Sequence, residues 1–176
     1  MEPQVWSVGH STRGIDEFIA LLRAHRIGLI ADVRRFPGSR RYPHFGSEAL
    51  GQSLAVAGLG YRWIPALGGR RRPAPGSPNT AWKNASFRGY ADHTASAEFA
   101  AGLDELTGLA AERRVAMMCT EAVWWRCHRR IVSDVLTAQG WAVFHILDEG
   151  EPRRHEIADP ARLVDGRLSY EPLGPL

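Results

Sequence analysis

The sequence predicts an α/β fold of the Rossmann-like class, in which a mostly parallel sheet carries helices on both faces. Three observations lead to this prediction. Short apolar runs recur along the chain. They alternate with segments whose apolar residues repeat every three or four positions, the spacing of an amphipathic helix. Polar residues follow several apolar runs directly, as they do at the carboxyl ends of strands in a parallel sheet.

The first βαβ unit is predicted to span residues 5–33. Residues 5–9 form an apolar run that indicates a strand, and residues 29–33 form a second run of the same kind. Asp16 and Glu17 mark the first turn of a helix between them, and Gly28 marks its end. The apolar face of this helix comprises Ile15, Phe18, Ile19 and Leu22.

The middle of the chain is predicted to hold a helix, a strand and a long loop. Ser47 is expected to cap a helix that carries Leu50 and Leu54, and residues 61–64 are expected to form the third strand. Residues 65–90 are rich in Pro, Gly and Arg. Loops longer than about 12 to 15 residues inside compact domains are usually functional or disordered, so we interpret this segment as a lid.

The last third of the chain continues the alternation. A long helix with Phe99, Leu103 and Leu106 on one face precedes the apolar run 115–118, which predicts a central strand buried on both sides. A further helix and a strand over residues 142–147 follow, and the remainder is expected to be a polar tail. The length favours one domain over residues 1–176.

Composition limits the class of protein. The chain is 44% apolar and 23% charged, and no stretch approaches the roughly 18 consecutive apolar residues of a membrane span. The first residues lack the basic region and apolar run of a secretory signal, so we expect a cytoplasmic protein with no membrane partner. Two cysteines are too few for a disulfide framework, and a reducing compartment would keep them as thiols.

The charge is segregated along the chain. Residues 34–90 contain ten basic residues and one acidic residue, a net charge of +9, whereas the rest carries −6. An arginine-rich surface favours an anionic partner such as a phosphorylated small molecule or a nucleic acid. The alternative is a solvated surface in a chain that uses arginine in place of lysine, since Lys83 is its only lysine.

Several short motifs span nearly the whole chain and occur together. The combination resembles the bacterial and archaeal family named domain of unknown function four-eight-eight. The resemblance implies the same α/β fold and a shared set of polar residues, and it implies no reaction. The motifs that carry it are Gly9-His10-Ser11-Thr12-Arg13, Asp32-Val33-Arg34-Arg35-Phe36-Pro37-Gly38-Ser39-Arg40, Leu67-Gly68-Gly69-Arg70, Tyr90-Ala91-Asp92, Cys119-Thr120-Glu121 and Cys127-His128-Arg129.

Cys119 and Glu121 are the first candidates for chemistry. A thiol that ends a buried strand and precedes a helix lies where α/β folds place nucleophiles, and Arg126, His128 and Arg129 are cations that would favour its thiolate. Glu121 is a candidate proton carrier or the ion-pair partner of one of these cations. The alternative for Cys119 is a buried structural thiol.

Cys127 is expected to be structural. Neighbouring residues of a helix point in different directions, so Cys127 and His128 are not expected to form a catalytic pair. A helix that begins near Cys127 would place it on the apolar face with Ile131 and Val135. As a second alternative, Cys119, Cys127, His128 and His10 form a possible set of zinc ligands, although their spacing matches no common zinc motif.

The remaining candidates follow the other strands. His10 and Asp32 are assigned to the catalytic edge, and an anion could bind the backbone at the helix start near Ser11 and Arg13. A cap and a tight turn, or an internal ion pair between Asp32 and Arg34, would explain the same residues without a ligand. The other candidate ligand-binding residues are Arg40, Gly69, Arg70 and Arg129.

Together these observations favour an enzyme-like domain that binds a phosphorylated or otherwise anionic ligand, such as a nucleotide or nucleic acid, at the carboxyl edge of its sheet. A non-catalytic nucleic-acid-binding module is the alternative of a different class, in which Trp82, Phe87 or Tyr90 stack on bases. The two hypotheses differ in the shape of the site: a closed pocket indicates the enzyme, and a long open basic groove indicates the module.

Overall fold

The structure, a computed structural model, describes residues 1–175. Its strands are β1 (Gln4–Gly9), β2 (Leu29–Asp32), β3 (Gly60–Trp63), β4 (Val115–Cys119), β5 (Ala142–Ile146), β6 (Arg153–Arg154), β7 (Arg162–Val164) and β8 (Arg167–Ser169). Its α-helices are α1 (Ile15–Ala24), α2 (Ser47–Val56), α3 (Ala85–His93), α4 (Ala97–Glu112) and α5 (Arg129–Ala138).

The main sheet has six strands in the order β3-β2-β4-β1-β5-β6. The first five are mutually parallel, and only β6 is antiparallel to its neighbour. The prediction of a mostly parallel, Rossmann-like sheet is therefore confirmed. β4 lies between β1 and β2, so the carboxyl ends of these three strands are adjacent at one edge of the sheet.

Both faces of the sheet are covered, because alternate residues of each strand point to opposite sides. Met117 packs in the cluster that includes residues of α4 and α5, whereas its neighbour Met118 packs in the cluster that includes residues of α1 and α2. All five residues of β4 are buried, as expected for a central strand.

Residues 65–90 are not the structureless loop that the sequence predicts. Helix α3 begins at Ala85, where the side chain of Asn84 accepts hydrogen bonds from two backbone amides of the first turn. The carboxylate of Asp92 fixes the preceding segment by accepting bonds from the amide of Ala74 at 2.8 Å and from the side chains of Ser77 and Asn79 at 2.5 and 2.7 Å. Whether this segment acts as a lid remains a prediction.

Two further expectations are wrong. Gly46, not Ser47, occupies the N-cap of α2, and Ser47 is its first helical residue. The expected polar tail contains β6, which extends the sheet, and the β7–β8 hairpin. His155 and Tyr170 from this region are buried. Among the described residues, no helix is both long and apolar enough to cross a membrane.

Candidate active site

Backbone hydrogen bonds connect β1, β4 and β2 at their carboxyl ends and continue past the ends of β1 and β2. The amide of His10 donates to the carbonyl of Cys119 at 2.9 Å, and the amide of Val33 donates to the carbonyl of Met118 at 3.0 Å. Gly9 permits this approach, since a Cβ atom there would lie 1.8 Å from the carbonyl oxygen of Glu121. The polar residues that follow the three strands are therefore held in one cluster.

A cavity of about 430 Å³ opens at this edge. Both thiols lie in its wall, and so do the aromatic side chains of Phe36, Phe87 and Tyr90. Of the lining residues, only Glu121 carries a carboxylate. The cationic and potentially cationic groups of the wall are Arg34, Arg35, Arg70, Arg126 and His128.

Asp32 and Arg34 form a buried ion pair beneath the cavity. The guanidinium of Arg34 donates to both carboxylate oxygens, with its Nε at 2.9 Å and its Nη2 at 2.7 Å. The hydroxyl of Tyr61 donates to the same carboxylate at 2.5 Å. Arg34 is thus fixed in the cavity wall by Asp32, and Asp32 itself is fully buried behind it.

His10 is buried behind Arg34 and does not line the cavity. Its ring stacks on Phe45 with the centroids 4.2 Å apart, and its Nδ1 lies 2.9 Å from the carbonyl oxygen of Ser11. A carbonyl only accepts, so Nδ1 carries the proton and Nε2 faces Arg34 at 3.5 Å. Burial, with the charge of Arg34, lowers the pKa of His10 to about 4, so His10 is neutral near pH 7.

The two cysteines are in direct contact. Their Sγ atoms are 2.7 Å apart, and both side chains are buried. The expected place of Cys127 on the helix itself is wrong, because α5 begins at Arg129 and Cys127 precedes it in extended conformation. The expected packing is confirmed, since Cys127 lies in the same core cluster as Ile131, against which Val135 also packs. Its sulfur therefore reaches the cavity wall together with that of Cys119.

His128 faces Cys127 in spite of being its neighbour in sequence. Its Nε2 lies 2.8 Å from the carbonyl oxygen of Val33, so this nitrogen carries a proton, and Nδ1 lies 3.6 Å from the Sγ of Cys127. The argument that adjacency prevents a catalytic pair fails here because neither residue lies within the helix body. Gly69 leaves room for the ring: a Cβ atom there would be 2.8 Å from Nδ1.

Arg129 is buried beside the sulfur atoms. Its Nε donates to the Sγ of Cys119 at 2.9 Å, its Nη1 donates to the hydroxyl of Ser7 at 2.8 Å, and its Nη2 donates to the carbonyl of Glu121. Within residues 1–175, it forms no ion pair with a carboxylate. A buried guanidinium without an adjacent anion is costly, so a thiolate in the cysteine pair is its natural counter-ion.

The pair is expected to hold one negative charge. Burial opposes ionisation of Cys127, but the hydrogen bond with Cys119 and the nearby His128 and Arg129 outweigh it, and the pKa of Cys127 falls well below its ordinary value. Burial and the hydrogen bond with Cys127 raise the pKa of Cys119 well above its ordinary value. Both directions favour the thiolate on Cys127, to which the backbone amide of Arg129 also donates at 3.4 Å, with Cys119 as its proton-bearing neighbour.

A chain of buried hydrogen bonds extends from Arg129 away from the cavity. Ser7 connects to Nδ1 of His145 at 2.9 Å, His145 to Nδ1 of His155 at 2.9 Å, and Nε2 of His155 to the carboxylate of Asp134 at 2.6 Å. All four residues are buried, and Tyr170 donates to Asp134 at 2.7 Å. The pKa of His145 falls to about 2 because of burial, so its ring is neutral.

The four residues suggested as zinc ligands are not arranged around a common point. His10 faces Arg34, and Arg129 occupies the space beside the sulfur of Cys119. No group of three or more His, Cys, Asp or Glu side chains in the described part of the chain is arranged to hold a metal ion.

The other residues predicted from the sequence either connect the strand ends or lie at the surface. Arg13 donates to the carbonyls of Gly9 at 2.6 Å and Leu147 at 2.9 Å, and these bonds tie the ends of neighbouring strands together. The amide of Ser11 donates to the carbonyl of Thr120. The side chain of Glu121 lies at the cavity wall and is exposed, whereas Arg40 is exposed outside it.

The proposed stacking aromatics are mostly part of the core. Trp82 and Tyr90 are 6% and 1% exposed, and the hydroxyl of Tyr90 donates to the carbonyl of Leu67 at 2.6 Å. Phe87 alone of the three is half-buried. Phe36 belongs to the motif over residues 32–40 but was not proposed to stack on bases. It is 63% exposed at the cavity, where it contacts the guanidinium of Arg35.

Two groups of residues at or near the site were not among the candidates chosen from the sequence. Arg35 and Phe36 belong to the motif that begins at the end of β2, so the rule that selected Arg34 would also have selected them. His145, His155 and Asp134 carried no such signal, because His155 lies in what the sequence reads as a polar tail. Contacts between distant segments bring these three together.

The family comparison agrees with the resemblance seen in the motifs. A family model described as "Domain of unknown function DUF488" matches residues 14–136. The matched region includes both cysteines, His128 and Arg129, and it ends before His145, His155 and Tyr170. No curated protein and no solved structure matches the chain significantly.

Proposed function

This chain belongs to the DUF488 family, whose description assigns no activity, and we propose that it is a thiol-dependent enzyme that acts on an anionic substrate. Cys127 is the nucleophile and His128 is its general base. The substrate binds in the cavity at the carboxyl edge of the sheet, where arginine side chains hold its negative charge.

The observation that carries this proposal is the arrangement around His128. The ring is anchored by its Nε2–H on the carbonyl of Val33 and presents Nδ1 to the sulfur of Cys127, where Nδ1 takes up the proton that the thiol releases. A nucleophile, a base within reach and a third group that orients the base is the pattern of an activated nucleophile. Here the orienting group is a backbone carbonyl.

The substrate is held by the free cations of the cavity. Arg34 is neutralised by Asp32, whereas Arg35, Arg70 and Arg126 form no ion pair within the described residues.

A pair of alkylating agents tests the proposal without knowledge of the substrate. Iodoacetate is anionic and iodoacetamide is neutral, and both modify a thiolate. Cys127 is expected to be alkylated near neutral pH. The ratio of the iodoacetate rate to the iodoacetamide rate should be about tenfold higher for Cys127 than for a free thiol, because the cavity concentrates anions. Peptide mass spectrometry should place the alkyl group on Cys127 in the wild-type protein, and Cys119→Ser should retain the reaction.

Two arginine variants separate anion binding from nucleophilicity. Arg70→Ala and Arg126→Ala should reduce the preference for iodoacetate and leave the reaction with iodoacetamide nearly unchanged. Arg40→Ala, outside the cavity, is the matched control and should behave as wild type. Preferential labelling of Cys119, or equal rates with the two reagents in wild type, would refute the proposal.

A nucleic-acid-binding role is the second candidate, and one observation favours it. A further hollow of about 530 Å³ adjoins the cavity, shares Arg35 and Arg70 with it and is also lined by Arg72. Contacts spread over both hollows would suit an anionic polymer with several phosphates. Titration with single-stranded oligonucleotides should then show affinity that falls steeply with salt, and binding that is absent at low salt would exclude the role.

A further inference from the structure

The two thiols are close enough for a second reaction, the formation of a disulfide between them. The Sγ atoms of Cys119 and Cys127 are 2.7 Å apart, and the S–S bond of a disulfide is about 2.05 Å long. Only a small movement separates the observed dithiol from a disulfide. These are also the only two cysteines of the chain, so no other thiol competes.

Both sulfur atoms lie in the wall of the same cavity, but they are not equivalent. Cys127 faces His128, whereas Cys119 faces Arg129 and ends the central strand. A substrate that enters the cavity can therefore be attacked by Cys127 while Cys119 lies directly beside the bond that forms.

We propose that Cys119 is the resolving thiol of a two-cysteine cycle, through which this protein reduces an anionic disulfide. This inference rests on the proposed function of Cys127 as the nucleophile and adds the class of reaction. The substrate is the oxidant, and a cellular dithiol is the reductant that restores the enzyme.

The reaction balances in two thiol–disulfide exchanges. In the first, the thiolate of Cys127 attacks one sulfur of the substrate, a mixed disulfide forms, and the other half of the substrate leaves as a thiolate that takes up a proton. In the second, Cys119 loses its proton and attacks the Sγ of Cys127, which expels the second half as a thiol. The products are one protein disulfide and two thiols.

Arg129 explains how Cys119 becomes reactive only after the first step. While Cys127 is a thiolate, a second negative charge beside it is unfavourable, and Cys119 keeps its proton. Once Cys127 is capped by the substrate, its charge is gone and the buried guanidinium again lacks an adjacent anion. The Nε–H that already donates to Cys119 at 2.9 Å then stabilises the thiolate on Cys119.

Dithiobis(nitrobenzoate), an aromatic disulfide with two carboxylates, is a suitable probe because each displaced half is coloured. Reduced wild-type protein should release two coloured thiols per chain and end without an adduct, lighter by two hydrogen atoms in intact mass. Cys119→Ser should release one and retain one adduct on the remaining cysteine. Acid quenching of the wild-type protein early in the reaction should trap the first adduct on Cys127 in peptide mass spectrometry, because Cys119 keeps its proton until Cys127 is capped.

The outcomes distinguish the two proposals. If the first adduct in the wild-type protein lies on Cys119, Cys127 is not the nucleophile and both proposals fail. If Cys127 reacts first but the wild-type protein keeps one or two stable adducts, the nucleophile stands and the resolving role of Cys119 is refuted. Neutral dithiodipyridine provides the charge control, and Arg70→Ala should bring the rates of the two disulfides closer together in wild-type background.

Discussion

The protonation of His10 provides a quantitative test of the site's electrostatics. In the folded protein the pKa of His10 is lowered from 6.5 to about 4 by burial and by Arg34. The unfolded chain therefore binds a proton at a higher pH than the folded protein does. The stability that His10 contributes is complete above about pH 6.5 and is lost as the pH falls from about 6.5 to about 4.

The size of the effect follows from the two pKa values. A full shift from 6.5 to about 4 corresponds to roughly 3.4 kcal/mol at about 1.4 kcal/mol per pKa unit. Relative to pH 7.5, linkage gives a loss of roughly 1.4 kcal/mol at pH 5.5 and roughly 2.5 kcal/mol at pH 4.5. Below pH 4 both states are protonated, and the loss reaches its limit.

The assay is urea denaturation at pH 7.5, 5.5 and 4.5 for wild type and for His10→Gln, which cannot titrate in this range. The variant loses the ring stacked on Phe45 at 4.2 Å and should be less stable at pH 7.5. Between pH 7.5 and 4.5, the free energy of unfolding of the variant should nevertheless fall by roughly 2.5 kcal/mol less than that of wild type. His145, whose pKa also falls, is present in both proteins and cancels. Equal pH dependence of the two proteins would refute a buried neutral His10.

Three further substitutions test other parts of the site. Gly69→Ala should displace the ring of His128, since the new Cβ would lie 2.8 Å from Nδ1. The variant should fold, and alkylation of its Cys127 should be about tenfold slower than in wild type. Gly14→Ala is the control and should have no effect, because the space around Gly14 is open. Ser7→Ala leaves the Nη1 of Arg129 without its acceptor and should lower the free energy of unfolding by about 1 to 3 kcal/mol in urea denaturation. Asp92→Ala removes the carboxylate that fixes residues 74–79 and should speed limited proteolysis within that segment; unchanged cleavage would show that packing alone holds it.

Local pattern was sufficient for the sheet. The apolar run before Gly9 and the one that ends at Cys119 are adjacent parallel strands, as their lengths and polar ends predict. The same patterns failed where a single polar residue overrides composition. Asn84 starts a helix inside a segment that its Pro, Gly and Arg content marks as a loop.

The sequence by itself determined that His10, Asp32 and Cys119 follow strands of one parallel sheet, because apolar runs and their polar ends are local patterns. That β1, β4 and β2 are neighbours, so that these residues meet, was decided by the tertiary structure. Tertiary structure alone decided which thiol meets a base. The ring of His128 faces Cys127 because its other nitrogen is held by the carbonyl of Val33, 95 residues earlier in the chain. The burial of Arg129 between the thiols and Ser7 was likewise set by long-range packing. Side-chain direction at such positions depends on contacts between distant segments, and neither residue spacing nor composition contains that information.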